Sequence, residues 1–324
     1  MEETKLIELS EIAPEEVSWL WKPYIPAGKL TIIRGNPGEG KTMFVMMLIA
    51  RLTTGKPLPN EPDDALREPV NCIYQTAEDG LADTIVPRLI ANEADMKRVS
   101  VIDETSTPLS FSDARIEAAI REKQAKLFVL DPLQAYLGAG VDMYRANEVR
   151  PQFHALKCIA ERTGCAIVLI EHMNKMKGQK AISRGLGSMD ITGSARSVLL
   201  LTKPKANDPE VYLAPVKGNL ASLGQTLVFS VEDNRMYLEG VSEKSADELV
   251  DASSAEYTKS KLARAEELLA QLFSSGRGIE PERVYMFMRY QEISKRTLDA
   301  AKKNLGIRSE KDGKNWLWMP PVAK

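Results

Sequence analysis

The sequence predicts an α/β protein, a mostly parallel central sheet covered by helices, with a small α+β module behind it. Two observations carry this reading. Apolar runs of five to seven residues alternate with amphipathic helical segments from about residue 29 to residue 232. That is the pattern of βαβ units, whose parallel strands need a crossover. After residue 240 the chain turns polar, and the helical periodicity that resumes beyond it belongs to a shorter, separate set of elements. The 324 residues, 44% hydrophobic and 27% charged, are those of an ordinary globular protein with one large domain and one small. No apolar run reaches membrane-spanning length, and Met1-Glu2-Glu3 lacks the basic and apolar regions of a secretory signal. A cytoplasmic location without membrane contact is expected. Cys72, Cys158 and Cys165 lie in apolar runs without paired ligand spacing, which predicts buried free thiols and no structural metal.

Taken in order, residues 1–28 form an N-terminal arm, with Trp19, Leu20, Trp21 and Tyr24 packed on the core. Strands are predicted at 29–34, 71–76, 99–103, 126–131, 166–171, 197–202, 210–216 and 226–231, with helices between most of the early ones. The later strands are joined by short turns such as Lys205-Ala206-Asn207-Asp208-Pro209 and predict an antiparallel extension. The first domain then covers 1–239, and the polar stretch 240–256 reads as a linker. In 257–324, Leu262, Ala265, Leu269 and Leu272 keep helical spacing, and a second helix fits Pro281 to Tyr290. A third starts at Ser294, a good N-cap, carries Leu298, Ala301 and Leu305 on one face and stops at Gly306. Ile307 to Met319 reads as two strands turning at Lys311-Asp312-Gly313-Lys314. Three helices and a β-hairpin are the layout of a winged helix-turn-helix.

The chemistry starts at Gly35-Asn36-Pro37-Gly38-Glu39-Gly40-Lys41-Thr42, which reads G-x-x-x-x-G-K-T. An apolar strand precedes it and the helical run Met43 to Leu52 follows. Glycines let the backbone wrap a polyphosphate, so that amides and a helix N-terminus face its charge. Lys41 can reach the β- and γ-phosphates of ATP, and the Thr42 hydroxyl can ligate Mg²⁺. Leu127-Phe128-Val129-Leu130-Asp131 is an apolar strand ending in a carboxylate, and Asp131 is expected to help hold the Mg²⁺. Pro132, not an acidic residue, follows it, so another carboxylate should orient the attacking water. Glu78, at the end of the strand around Cys72-Ile73-Tyr74-Gln75-Thr76, is the best candidate; Asp79 could substitute or cap the next helix.

The ordered set resembles a known group. Trp19-Leu20-Trp21-Lys22-Pro23-Tyr24-Ile25-Pro26-Ala27-Gly28-Lys29-Leu30-Thr31 runs into the phosphate loop. Ala77-Glu78-Asp79, Asp131-Pro132-Leu133, Glu171-His172-Met173-Asn174-Lys175 and Arg184-Gly185-Leu186-Gly187-Ser188 follow. From about residue 5 to 235 this resembles the RepA-like branch of RecA-fold hexameric helicases, found on plasmids, phages and integrated elements. The resemblance implies a RecA-like P-loop NTPase that forms a homo-hexameric ring. ATP would lie between neighbouring subunits and single-stranded DNA would pass through a central channel. It implies that the strand ending at Glu78 neighbours the phosphate-loop strand and supplies the base. It also makes His172 the sensor between the γ-phosphate and the DNA-facing loops. Arg196 matches the trans-acting arginine finger and Lys217 a second trans-acting lysine. Related helicases carry an arginine two residues beyond that lysine where this chain has Asn219, which shifts the burden to Arg196; Arg184 competes for the role.

Two loops are placed to touch DNA. One, Gly138 to Arg150, contains Tyr144, Arg145 and Arg150; the other, Lys175 to Ser188, offers Lys175, Lys177, Lys180 and Arg184. With aromatic residues scarce there, tracking of the phosphate backbone is expected. From Glu256 to Lys324, Lys and Arg outnumber Asp and Glu fourteen to nine although the whole chain has a net charge of −2, which also points to nucleic acid. Lys295, Arg296, Lys302 and Lys303 decorate the expected recognition helix, with Lys311 and Lys314 at the wing tip, a module that binds duplex DNA or docks a replication partner. Trp316 and Trp318 are expected to pack. Together these features predict a DNA helicase serving replication of a mobile element. The alternatives are a DNA-stimulated ATPase of recombinase or loader type that does not unwind, and an ATP-switched DNA-binding regulator.

Overall fold

The computed structural model describes residues 6–174, 179–204, 208–273, 277–291, 293–312 and 315–320. A short hairpin, β1 (Trp19–Trp21) and β2 (Ile25–Pro26), leads into β3 (Leu30–Gly35), α1 (Lys41–Thr54), β4 (Cys72–Thr76), α2 (Val86–Ala91) and β5 (Val99–Ser100). Then come α3 (Ala114–Lys123), β6 (Leu127–Asp131), α4 (Ala146–Thr163), β7 (Ala166–His172), α5 (Met189–Ser194) and β8 (Ser197–Thr202). The strands β9 (Glu210–Gly218), β10 (Thr226–Glu232) and β11 (Arg235–Ser242) follow. After them come α6 (Ala246–Leu272), α7 (Pro281–Tyr290), α8 (Lys295–Asn304), β12 (Arg308–Asp312) and β13 (Asn315–Met319).

Nine strands form one sheet in the order β11-β10-β9-β8-β3-β7-β6-β4-β5. From β8 to β5 all neighbours are parallel. Beyond β8 the sheet continues antiparallel through β9, β10 and β11. The alternation of each strand supplies both faces. Ile33, Val129, Val168 and Leu199 enter the core layer with α1 and α2, whereas Ile32, Phe128, Leu169 and Val198 enter the layer with α3, α4 and α5. Such two-sided burial explains why the parallel strands read as continuous apolar runs. Helix α1 is buried nearly all round, from Phe44 to Leu52, so it is held by packing and not by one amphipathic stripe. Trp21 and Tyr24 of the arm lie in the same layer as expected.

The order of strands corrects one expectation. β4, which ends beside Glu78, does not neighbour β3; β7 and β6 stand between them. The chain leaves β3 for the far side of the sheet, then fills the gap with β6 and β7. The 99–103 strand pairs for two residues only, because the Gln75 side chain takes the Ile102 N–H (2.9 Å) and carbonyl (3.0 Å) in place of the ladder. β11 was not foreseen. It returns from β10 through Asp233 and Asn234, both with positive φ (48° and 62°), the two-residue turn that suits a twisted hairpin.

Residues 240–256 do not form a free linker. β11 runs to Ser242, and α6 starts at Ala246 behind a capping box. Ser245 Oγ accepts the Glu248 N–H (3.3 Å), and the Glu248 carboxylate accepts the Ser245 N–H (2.7 Å). The polar composition hid a helix start. The chain divides into two compact units at Val250/Asp251, within α6. Ala246, Leu249 and Val250 are buried in the first unit with Leu200, Tyr212 and Val228. The second unit has its own core of Ala265, Leu269, Val284, Met288, Leu298, Ala301, Ile307 and Trp318. Ser294 caps α8 through the Thr297 N–H (3.2 Å), and β12 pairs antiparallel with β13. The turn residues Gly313 and Lys314 lie outside the described residues, as do Lys205, Ala206 and Asn207. Among the described residues no helix is long and apolar enough to cross a membrane.

Cys72 and Cys165 are buried, and burial pushes the Cys165 thiol up to about 12. Cys158 departs from expectation: it is half-buried on α4, with its sulfur 3.6 Å from His154 Nε2.

Candidate active site

Parallel strands leave their C-terminal ends along one edge, and the motif residues collect there. Gly35 ends β3 in register with His172 at the end of β7. Asp131 ends β6, and Thr76, two residues before Glu78, is its register partner on β4. Between β3 and α1 the loop turns through Gly38 and Gly40, with φ of 78° and 94°, values that a side chain would strain. A Cβ on Gly38 would meet nothing within 4 Å, so the loop opens on free space at the N-terminus of a fourteen-residue helix. That cradle and dipole suit a polyphosphate.

Lys41 Nζ donates to the carbonyls of Gly35 (2.9 Å) and Asn36 (2.8 Å), which folds the ammonium back over the loop it belongs to. Burial lowers its pKa, against the pull of Glu39, Asp131 and Glu78. Thr42 Oγ1 donates to Asp131 Oδ2 (3.2 Å), so the hydroxyl and the carboxylate expected to share a Mg²⁺ already face one another. Asp131 is raised by burial, offset by hydrogen bonds from Tyr74 and Thr42 and by the charge of Lys41. A buried carboxylate facing a hydroxyl is an oxygen donor set that fits Mg²⁺, which when bound would neutralise phosphate charge.

Glu78 is exposed, and its Oε2 lies 3.8 Å from His172 Nε2. The proposed base and the proposed sensor therefore share one corner of the site, although two strand steps separate β4 from β7. Asp79 is taken: Arg88 donates to its Oδ2 (3.3 Å), while Thr76 Oγ1 accepts its N–H (3.2 Å). That leaves Glu78 as the better placed of the two.

Two residues of the site, Tyr74 and Thr202, escaped the sequence reading, and Glu39 of the loop has contacts that it did not foresee. Tyr74 O–H donates to Asp131 Oδ2 (2.7 Å), the same oxygen that Thr42 reaches. Its phenol is driven above the ordinary tyrosine range by burial and then by the Asp131 charge. Glu39 occupies a variable position of the motif, yet its carboxylate accepts the Asn36 N–H (2.6 Å), the Asn36 amide (3.0 Å) and the Thr202 hydroxyl (3.0 Å). It ties the loop to the end of β8. The available signals were a hydroxyl inside an apolar strand and the threonine that ends Val198-Leu199-Leu200-Leu201-Thr202. If Tyr74 orients Asp131, Tyr74→Phe should raise the Mg²⁺ concentration for half-maximal ATPase by roughly tenfold. A magnesium titration that superimposes on wild type would remove Tyr74 from the site.

Two of the trans-acting candidates, Arg196 and Lys217, lie at the other edge. The Arg196 N–H donates to the carbonyl of Leu30, the first residue of β3, and Asn219 donates to the Arg196 carbonyl. Five residues of strand separate Leu30 from Gly35, roughly 16 Å at about 3.3 Å each. Arg196 is exposed. Lys217, opposite Val198 on β9, is not free: its Nζ donates to the carbonyls of Thr192 (2.9 Å), Gly193 (3.2 Å) and Ala195 (2.8 Å). It closes the C-terminal end of α5, and burial lowers its pKa. Arg184 is also turned inward, only 5% exposed, with Nη2 donating to the Asn174 carbonyl (3.3 Å). Neither the DNA role nor the finger role expected of Arg184 matches that placement, because Asn174 and Arg184 also pair their backbones where the loop closes on itself.

Of the remaining DNA candidates, Lys180 is exposed, and Lys175 and Lys177 lie outside the described residues. Arg145 is paired with Asp142 and Glu148, Arg150 with Asp190 (2.7 Å), and Tyr144 is 66% exposed. In the second unit Lys295, Arg296, Lys303 and Lys311 are exposed. Lys302 instead packs over the Trp318 ring at 4.1 Å and donates to Ser309 Oγ (2.7 Å). Trp318 is buried as expected, but Trp316 is 57% exposed, since it sits nearer the hairpin tip, past the end of the core.

A family model described as an AAA domain, AAA_25, matches residues 2–178, more than half of the chain and the span that holds the loop, Glu78, Asp131 and His172. The chain belongs to this AAA domain family. Its first unit accordingly carries an AAA-type P-loop ATPase domain over residues 2–178, the span that supplies most of the edge described above. Strands β8 to β11 and the second unit lie beyond the matched span. No curated protein sequence matches the chain.

Proposed function

We propose that the protein is an ATP-hydrolysing DNA helicase of RepA-like type that works as a ring of identical subunits, six by the sequence resemblance, in replication of a plasmid, phage or integrated element. One observation supports this reading above the others. The nucleotide edge holds Lys41, Thr42, Asp131, Glu78 and His172, whereas the exposed cation Arg196 lies at the opposite edge, about 16 Å along β3 from the phosphate loop. A subunit so built cannot complete its own site. Head-to-tail contact between the two edges would complete it, and such heterologous contacts form a ring where the rotation between neighbours closes. Bound ATP would then be attacked by a water that Glu78 orients, with His172 beside it and Arg196 of the next subunit on the developing charge.

Lys180 in the loop after β7 offers a cation to the DNA backbone, in keeping with tracking that reads no bases. The second unit, with three helices and a hairpin, fits a winged helix-turn-helix that would meet duplex DNA through Lys295, Arg296, Lys303 and Lys311. One observation favours the second reading, an ATPase that binds DNA without unwinding it: Arg184 is folded inward, so the described part of the loop presents few cations. Strand displacement on forked DNA, run beside ATPase assays with and without single strands, separates the two. ATP-dependent displacement is expected. DNA-stimulated turnover without displacement would favour the second reading.

A further inference from the structure

Arg34 immediately precedes the phosphate loop and Glu171 immediately precedes His172. They are register partners on β3 and β7, and their side chains, both fully buried, meet at 2.8 Å. Nothing in nucleotide hydrolysis calls for this pair, and apolar residues of the same volume would fill the space at lower cost. Burial lifts the Glu171 carboxyl to about 7 against the pull of Arg34, so the pair is held against a real desolvation penalty.

Its other contacts say what the pair holds. Arg34 Nη1 donates to the carbonyls of Ala181 (3.0 Å) and Ile182 (2.9 Å), and Nη2 to Thr192 Oγ1 on α5 (2.8 Å). The backbone at Gly185 lies directly over the pair: a Cβ there would sit 2.7 Å from Arg34 Nη2 and 2.7 and 2.8 Å from the Glu171 oxygens. The same segment returns to the strand end, where Met173 bridges Gly185 and the Leu186 N–H donates to the His172 carbonyl (3.3 Å). Residues 181 to 192 are thus fastened from below by one guanidinium whose backbone leads into Gly35.

We propose that the Arg34–Glu171 pair is a positioning device that ties the phosphate end of the nucleotide site to the segment 179–188, so that the segment responds to bound nucleotide. The mechanical link stands on the contacts above; its use for moving DNA rests on the helicase reading. A shift of Gly35 or His172 reaches Ala181 and Ile182 through the Arg34 side chain, whose stem is held by full burial and whose guanidinium is rigid and planar.

Hydrogen exchange of the full chain, with and without a non-hydrolysable ATP analogue and Mg²⁺, tests the link. In the wild type the analogue should slow exchange in 179–188 by roughly fivefold or more. In the double variant Arg34→Met/Glu171→Met, the analogue should still bind within about threefold, and the response of 179–188 should fall below about twofold. A wild type without response, or a double variant that keeps the full response, overturns the proposal. Should the double variant not fold, Thr192→Val, which removes one acceptor of Arg34, should cut the response by about half; an unchanged response counts against the link. Stimulation of ATPase by single-stranded DNA separates the two readings. Its loss in the double variant, with analogue binding intact, supports the coupling. Its absence in the wild type, with the exchange response present, removes the helicase reading and leaves the coupling standing.

Discussion

Arg196→Ala is expected to lower steady-state ATPase activity by about a thousandfold, the scale of a missing arginine finger, while nucleotide affinity stays within about threefold of wild type. The expectation follows from position. Arg196 is exposed at the N-terminal end of β8, far along the strand direction from its own loop, so its loss cannot disturb Lys41, Thr42 or Asp131. Its backbone keeps its hydrogen bonds to Leu30 and Asn219, so the fold should persist. The trans assignment has a sharper signature than loss alone. Mixing Arg196→Ala subunits with Lys41→Ala subunits should recover part of the activity, because some junctions then pair an intact loop with an intact arginine. Full turnover by pure Arg196→Ala protein, or no recovery on mixing, would refute a shared site.

The second large effect is expected at Lys41. Lys41→Ala should abolish turnover, below about a thousandth of wild type, and weaken ATP binding at least tenfold. The ammonium is held over the loop by the Gly35 and Asn36 carbonyls, ready for an anion that would replace them. Its burial lowers its pKa, so the charge is kept at a cost that ligand binding offsets. Removing it should therefore leave the unliganded melting temperature unchanged or slightly raised. The upward shift that saturating ATP gives the wild type should disappear. A variant that melts lower without ligand, yet still gains the full shift with ATP, would mean that Lys41 serves the fold and not the phosphate.

Much of this site was legible in the chain because its chemistry is written in contiguous letters. The loop, the carboxylate ending Leu127-Phe128-Val129-Leu130 and the histidine ending the 166–171 run all fall where apolar strands stop, and parallel strands bring such stops to one edge. What stayed hidden depends on which strands neighbour which. Tyr74 touches Asp131 only because β4 lies beside β6, and Glu39 touches Thr202 only because β8 flanks β3. The inward turn of Arg184 and the fastening of Lys217 to three carbonyls were equally unreadable. A basic residue looks the same in sequence whether it faces solvent, turns inward or closes a helix end. The helix start at 246 was missed for a different reason. Its cap is made of Ser245 and Glu248, residues that also suit a linker, and its apolar anchors Leu249 and Val250 are too few to show a period.

β8 has a consequence of its own. One end of this six-residue strand touches the subunit's own loop through Thr202 and Glu39, and the other end carries Arg196. If Arg196 serves the next subunit, each protomer listens at one end of a short rod and speaks at the other. Such an assembly has a built-in sense of rotation. A single faulty copy would silence its own site or its neighbour's according to which end of its rod is broken.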